Sequence, residues 1–230
     1  MTHEDADTSG TAYSKHWLSS DERRIAQREI DVDFLIHKVH LDANSKVLDF
    51  GCGDGEFALM LKNISGADVF GFEISDRLKN IAVNNGLRIV PNLNEISQID
   101  LIVIRGVLQY VENHEALLQT LVSICRTTNS VAILMTPNSR SLQYRFFHSM
   151  PILKDESIWL KTLPDPKIII RIMNQLGYDC KKQLSFATYF SSPYSRPLHD
   201  MWSFTKRVFL RNVQLEPWSG NVFNLICKRR

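Results

Sequence analysis

The chain has 230 residues, of which 44% are hydrophobic and 23% are charged. This composition is typical of a single globular domain that can bury its own core without disulfide or metal cross-links. The formal net charge of +2 gives no electrostatic reason to expect a nucleic-acid partner, and no apolar run approaches the roughly 20 residues that cross a bilayer.

The cysteines and the N-terminus both bear on the cellular compartment. Cys52, Cys125, Cys180 and Cys227 are far apart and form no CxxC pair, a pattern that argues against a disulfide framework or a zinc site and fits a reducing cytosol. The first ten residues are polar and acidic, without the basic start and apolar stretch of a signal peptide. We therefore expect a cytoplasmic protein whose residues 1–20 form a disordered or lid-like tail.

Strands and helices alternate along the first part of the chain. Apolar residues at helical spacing, with Ser20 or Asp21 as the N-cap, predict a first helix within residues 19–39. Period and turn signals then predict strands at 46–50, 67–73, 87–90, 99–106 and 131–137, and helices at 56–62, 76–85 and 113–125. This alternation predicts a doubly wound, mostly parallel α/β sheet with helices on both faces.

The regular alternation ends near residue 138. A helix is predicted at 139–150, an irregular segment follows, and a second helix begins with Asp165 as its N-cap and Pro166 as its first residue. The segments 181–190 and 221–230 are expected to pair antiparallel at the edge of the sheet. The result is a seven-stranded sheet with an antiparallel edge strand, in a single domain at 21–230 with insertions near 138–164 and 188–220.

The stretch VLDFGCGDGEF, at residues 47–57, follows the first predicted strand. Open parallel sheets bind ligands beyond the carboxyl ends of their strands, and glycines let the backbone approach a ligand closely. A nicotinamide dinucleotide usually requires GxGxxG, but Glu56 stands at the last glycine position. Asp49 adds a second negative charge, and both features suit a cationic ligand such as S-adenosylmethionine.

This stretch resembles the first motif of the class I S-adenosylmethionine-dependent methyltransferases, an acidic residue followed by one residue and GxGxG. The segment GFEIS at residues 71–75 is similar to the second motif, and IDLIVIRGVLQYVENHEALL at 99–118 resembles the segment after strand four. AILMTPN at 132–138 resembles strand five of the subgroup that acts on small molecules and sugars. The similarity covers residues 43–140 well and residues 165–187 more weakly.

The resemblance implies a set of cofactor-binding residues at the strand ends: Asp49, Gly51, Cys52, Gly53, Gly55, Glu73, Ile74, Asn92, Arg105 and Gly106. Backbone amides of the glycine turn would cradle the methionine part of the cofactor, and Asp49 would help to hold its ammonium group. Glu73 would accept the ribose diol, Ile74 would pack on the adenine, and Asn92 would meet the adenine amino group or serve as an ordinary turn residue. Arg105 departs from the family, which more often has a small polar or acidic residue there.

Methylation of a hydroxyl usually requires removal of its proton near the moment of attack. The candidates for this role are Tyr110 and His148, with His114 and His199 as weaker ones. The segment after strand four lacks the proline-rich run of amino-methylating DNA enzymes, which disfavours a nucleic-acid substrate. No cysteine or histidine cluster predicts a metal.

The remaining segments suggest an acceptor. Tyr13 and Trp17 either cover the cofactor or pack in the core, and residues 201–211 either pack over the acceptor site or contact a membrane surface. The stretches SPYSRPLHDMW and PWSGNVFNLI resemble endings of methyltransferases encoded among surface-polysaccharide enzymes. We therefore expect O-methylation of a small molecule such as a sugar or glycan intermediate. The alternatives are N-methylation of a small amine or protein group, and a non-catalytic cofactor-binding partner subunit; the sequence does not indicate an oligomeric state.

Overall fold

The structure is a computed structural model that describes residues 22–126, 128–137, 164–185 and 222–230. Several predictions fall outside these residues. They are the tail with Tyr13 and Trp17, the helix at 139–150 with His148, most of both insertions, and the segment that contains His199.

A seven-stranded sheet forms the centre of the fold. Its strands are β1 (Lys46–Phe50), β2 (Asp68–Phe72), β3 (Arg88–Ile89), β4 (Leu101–Arg105), β5 (Val131–Pro137), β6 (Tyr178–Ser185) and β7 (Val222–Arg229). They lie in the order β3-β2-β1-β4-β5-β7-β6. Strands β1 to β5 run parallel, and β7 pairs antiparallel with both β5 and β6. The predicted doubly wound sheet is confirmed, although the antiparallel strand lies second from the edge.

Helices cover both faces of this sheet, as the sequence predicts. They are α1 (Glu22–Lys38), α2 (Glu56–Ser65), α3 (Asp76–Asn84), α4 (His114–Ser123) and α5 (Pro166–Gln175). Side chains of α1, α2 and α3 bury with one set of alternating strand residues, and side chains of α4 and α5 bury with the other set. The alternation follows from the strand period of two residues, which sends neighbouring side chains to opposite faces.

The helix ends follow from local capping. Helix α5 begins as predicted, because the Asp165 side chain accepts a hydrogen bond from the Lys167 N–H at 2.9 Å and Pro166 occupies the first helical position. Helix α2 continues to Ser65, three residues beyond the predicted end at residue 62. It ends there because Gly66 adopts the left-handed conformation, with φ of 73°.

The expectation that the widely spaced cysteines form no disulfide is wrong for one pair. Cys180 in β6 lies opposite Cys227 in β7, and the two form a disulfide bond. They are 47 residues apart in sequence, so only the antiparallel pairing of the strands brings them together. Cys52 and Cys125 are buried free thiols. In the part of the chain that the structure describes, no helix has the length and apolar character to span a membrane.

Candidate functional site

The strand order reverses beside β1, where the chain leaves toward β2 and later returns to β4 on the other side. The connections that follow β1 and β4 therefore diverge and open a crevice at the carboxyl edge of the sheet. The predicted site residues are located here because they follow the ends of β1, β2 and β4. The architecture thus brings together residues that are far apart in sequence.

The turn after β1 depends on its glycines. Gly51, Gly53 and Gly55 all have positive φ, at 78°, 59° and 79°, a conformation that is strained for other residues. A Cβ atom at Gly51 would lie 2.3 Å from a methyl carbon of Val107, so packing also excludes a side chain there. The turn is therefore tight for both conformational and steric reasons.

Hydrogen bonds dock this turn against the end of β2. The N–H groups of Gly51 and Cys52 both donate to the Phe72 carbonyl, at 2.7 and 3.1 Å, and the Gly55 N–H donates to the Cys52 carbonyl at 3.0 Å. These amides are bonded within the protein in this structure, and the expectation that amides around the glycine turn cradle the methionine part of a cofactor stays a prediction. The Cys52 thiol is buried, and burial raises its pKa far above the usual range.

Glu73 follows β2 directly and is the acid that the second motif predicts. Only 4% of the residue is exposed. One carboxylate oxygen accepts from the Gly53 N–H and the other from the Ser75 N–H, each at 2.9 Å. A carboxylate offers about four acceptor positions, so two backbone bonds fix this group and leave capacity for further donors.

Asp49 lies within β1 and is 2% exposed. Burial raises the pKa of this carboxyl group to about 7, the positive charge of Arg105 opposes that shift, and the negative charges of Glu73 and Asp54 add to it. The charges of Arg105, Glu73 and Asp54 are therefore close enough to change the pKa of Asp49. Asp49 and Glu73 therefore belong to one acidic cluster at the ends of neighbouring strands.

Helix α1 supplies two charged residues that the sequence analysis did not assign to the site. Arg28 is 6% exposed; its guanidinium lies 2.6 Å from the Asp54 carboxylate and forms a second ion pair with Glu56. The charge of Glu56 is therefore paired, and the case for a cationic ligand depends on Asp49 and Glu73. A sequence signal existed, since Arg28 and Asp31 lie at helical spacing with the buried residues of α1.

Arg105, at the end of β4, lies against α1 and α2. Its guanidinium is 3.3 Å from the Asp31 carboxylate and 4.7 Å from the centre of the Phe57 ring. Gly106 follows with φ of 67°, and its N–H donates to the Met135 carbonyl at 2.8 Å. The structure therefore gives Arg105 a role in linking the end of β4 to the helices on this face.

Two predicted adenine contacts lie at the ends of the next strands. Ile74 is 83% exposed. The Asn92 side chain accepts from the Asn94 N–H at 3.0 Å and caps a short helical turn. Ile74 therefore offers open apolar surface, whereas Asn92 has a structural role.

Tyr110 lies in a short helical turn after β4 and is 36% exposed. Partial burial raises the pKa of its hydroxyl group, against a hydrogen bond from Gln109 that lowers it. His114 is nearby, but its ring nitrogen lies 2.8 Å from the Leu108 carbonyl oxygen, in a contact that fits a structural role.

Two buried polar atoms were missed by the sequence analysis. The side-chain oxygens of Gln109 and Thr136 are buried and have no hydrogen-bond partner among the described residues. Gln109 follows β4 and Thr136 lies near the end of β5, so both are at the carboxyl edge of the sheet. Across the described ranges, no group of three or more His, Cys, Asp or Glu side chains is placed to hold a metal ion.

Comparisons with known proteins identify the family. Residues 21–183 match the model of the methyltransferase domain, whereas no curated protein matches the chain. Among solved structures, a SAM-dependent methyltransferase from Archaeoglobus fulgidus is 19% identical, with a TM-score of 0.60 and coverage of 88% of this chain and 94% of that one. Geranyl diphosphate C-methyltransferase from Streptomyces coelicolor is 14% identical, with a TM-score of 0.58 and coverage of 88% and 80%.

A third similar structure has a longer chain. Phosphoethanolamine N-methyltransferase 2 from Haemonchus contortus is 12% identical, with a TM-score of 0.61, and the alignment covers 88% of this chain but 52% of that one. The named acceptors of these proteins differ, so the shared fold does not identify an acceptor. From the family match, the sheet order and the glycine turn together, the chain belongs to the class I S-adenosylmethionine-dependent methyltransferases.

Proposed function

We propose that the cleft formed by Asp49 and Glu73 holds S-adenosylmethionine and that the enzyme methylates a hydroxyl group of a small polar molecule, such as a sugar or glycan intermediate. The observation that carries the proposal is the pair of buried carboxyl groups at the ends of β1 and β2, which influence each other electrostatically. Burial of acidic groups is costly unless positive charge or hydrogen bonds compensate it.

The cofactor has the groups that these residues require. Its sulfonium and ammonium groups are cationic, which suits Asp49, and its ribose diol supplies two donors for Glu73. The exposed Ile74 would pack on the adenine, and Asn92 would lie near its edge. Gly51, Cys52, Gly53, Gly55 and Gly106 would act by shaping the cleft.

Methyl transfer requires the acceptor atom to be close to the sulfonium methyl group and aligned with it. When bound, the cofactor supplies that electrophilic methyl group, and the protein supplies position, which is worth around 7–11 kcal/mol in favourable cases. The residues of the acidic cleft would fix the cofactor end of this alignment. Described residues after β4 and near the end of β5, such as Gln109 and Thr136, would contribute to the acceptor end.

A polar acceptor is supported by the two buried oxygens of Gln109 and Thr136. A buried polar atom without a partner costs about 1–3 kcal/mol. Both atoms are covered, so an acceptor with several hydroxyl groups would satisfy them once the residues around them move on binding. The raised pKa keeps the Tyr110 hydroxyl neutral near pH 7, so Tyr110 would orient the acceptor hydroxyl by hydrogen bonding. Proton removal would then fall to His148, which lies outside the described residues.

Binding of the cofactor is tested by calorimetry with S-adenosylmethionine and with its demethylated product, S-adenosylhomocysteine. Glu73→Gln retains size and one acceptor oxygen but loses the charge. It should weaken both ligands by about tenfold or more, since hydrogen bonds to charged groups contribute about 1.5–3 kcal/mol. Glu95→Gln, at an exposed acid in the turn after β3, is the matched control. Equal affinity of the Glu73 variant and the wild type would remove Glu73 from the site.

The acceptor is tested separately by mass spectrometry of reactions with a panel of sugars and other hydroxyl compounds and with a panel of small amines and peptides. Methylated hydroxyl products support the proposal. Products from amines alone would replace it with N-methylation. Cofactor binding without any product, until a second protein is added, would instead favour the partner-subunit alternative.

A further inference from the structure

Helix α1 is joined to the cofactor cleft by three ion pairs, in which it supplies one basic and one acidic residue. Arg28 pairs with Asp54 and Glu56 in the turn after β1, and Asp31 pairs with Arg105 at the end of β4. Arg28 and Asp31 are adjacent on one face of the helix, being three residues apart. One turn of α1 therefore contacts both connections that border the crevice.

The contacts on the Arg28 side fix the glycine turn firmly. One Asp54 carboxylate oxygen accepts from Arg28 and the other accepts from the Glu56 N–H at 3.2 Å, and the Asp54 carbonyl accepts from the Asn85 side chain at 3.0 Å. The side chain of Arg28 is 7% exposed and that of Asp54 13%. Water therefore screens the pair between Arg28 and Asp54 less than it would at the surface.

The same residues determine the charge around the cleft. Among the described side chains there, Asp31, Asp49, Asp54, Glu56 and Glu73 are acidic, whereas Arg28 and Arg105 are basic. Acidic groups are therefore in excess, which favours a cation. Arg28 limits that excess at the turn, where it faces two carboxylates.

We propose that Arg28 is a positioning residue that holds the glycine turn and also sets the relative affinity of the site for S-adenosylmethionine and S-adenosylhomocysteine. This inference rests on the cofactor site proposed above. The methylated cofactor carries a net charge of +1 and its product is neutral overall, so the two ligands respond differently to a change of charge near the cleft. Loss of the Arg28 charge makes the cleft more negative and favours the methylated form relative to the product.

The test measures the dissociation constants of both ligands for Arg28→Gln, Arg28→Lys and Glu56→Gln. In Arg28→Gln, the ratio of the S-adenosylhomocysteine constant to the S-adenosylmethionine constant should rise by about two- to tenfold. A tenfold change in the ratio corresponds to about 1.4 kcal/mol of electrostatic free energy. Arg28→Lys retains the charge and should retain the wild-type ratio.

Glu56→Gln provides an independent test that does not depend on the stability of the Arg28 variants. The Glu56 side chain is 51% exposed, so its replacement should leave the fold intact. The ratio should shift in the opposite direction, because this variant removes a negative charge and keeps Arg28. The double variant of Arg28→Gln and Glu56→Gln should return the ratio toward the wild-type value.

Lys38→Gln removes a positive charge from the last turn of the same helix, away from the cleft, and should leave the ratio unchanged. If Arg28 had a purely structural role, Arg28→Gln would weaken the binding of both ligands by the same factor. An unchanged ratio in both Arg28→Gln and Glu56→Gln would overturn this inference but leave the proposed cofactor site in place. Wild-type protein that bound neither ligand would overturn the proposed cofactor site and this inference with it.

Discussion

Replacement of Asp49 by Asn should stabilise the ligand-free protein and weaken cofactor binding. The Asp49 side chain is buried in β1, and burial raises its pKa to about 7 against the opposing charge of Arg105. Asn has nearly the same shape but no charge. The substitution therefore removes the free-energy cost of burying a charged carboxylate. It also removes the negative charge that would attract a cationic cofactor.

The magnitude follows from the difference between the folded pKa of about 7 and the ordinary value of about 3.9 in an unfolded chain. The folded state binds the proton more tightly, so the free energy of unfolding falls as the pH rises from about 4 to about 7 and then levels off. The cost of burying the Asp49 carboxyl group is then about 4 kcal/mol at pH 8 and about 1–2 kcal/mol at pH 5. The free energy of unfolding of Asp49→Asn minus that of wild type should therefore be about 2–3 kcal/mol larger at pH 8 than at pH 5.

Urea unfolding of both proteins at pH 5 and pH 8 measures this difference directly. Effects of the substitution that do not depend on pH cancel in the comparison, as do the titrations of groups that do not interact with Asp49. Asp179→Asn, at an exposed position in β6, is the surface control and should stay within about 0.5 kcal/mol of wild type. An equal difference between Asp49→Asn and wild type at the two pH values would refute the assignment of this proton to Asp49.

Three further predictions concern the same structural features. A cation beside Asp49 favours the ionised carboxylate, so the affinity of wild type for S-adenosylmethionine should rise about tenfold from pH 6 to pH 8. Calorimetry should also detect proton release on binding. An affinity that does not change with pH would exclude a link between cofactor binding and the ionisation of Asp49. Gly51→Ala should reduce the free energy of unfolding more than Gly66→Ala does, since both glycines have positive φ but only Gly51 is close to Val107. In urea unfolding we expect the free energy of unfolding to fall by about 1 kcal/mol for Gly66→Ala and by at least about 2 kcal/mol for Gly51→Ala. Equal decreases in the two variants would contradict the predicted steric clash. Cys180→Ser should cost about 2–4 kcal/mol through loss of the disulfide, and a reductant should reproduce that loss in wild type but have no effect on the variant.

The sheet could be predicted because its signals are local. Apolar runs such as that of β4, the glycines after β1 and the cap at Asp165 each act within a few residues, and their order along the chain implies the parallel crossovers. Glu73 was also predictable, because it directly follows a strand. These features required no knowledge of distant contacts.

The partners of the site residues were not predictable for the opposite reason. Arg28 reaches Asp54 across 26 residues of sequence, and Cys180 reaches Cys227 only through strand pairing. The bonding of the Gly51 amide to β2 depends on how the turn docks, which the glycine pattern does not encode. Arg28 and Asp31 could have been predicted in part, because charged residues within the buried stripe of a helix indicate ion pairs. The sequence does not show which residues are their partners.

An experimental structure with S-adenosylhomocysteine bound would test the cofactor site most directly. We expect the Glu73 carboxylate to lie within hydrogen-bond distance, about 2.6–3.2 Å, of both ribose hydroxyl groups, with the ammonium group on the Asp49 side of the cleft. A ligand bound elsewhere, or with its ribose turned away from Glu73, would contradict this expectation.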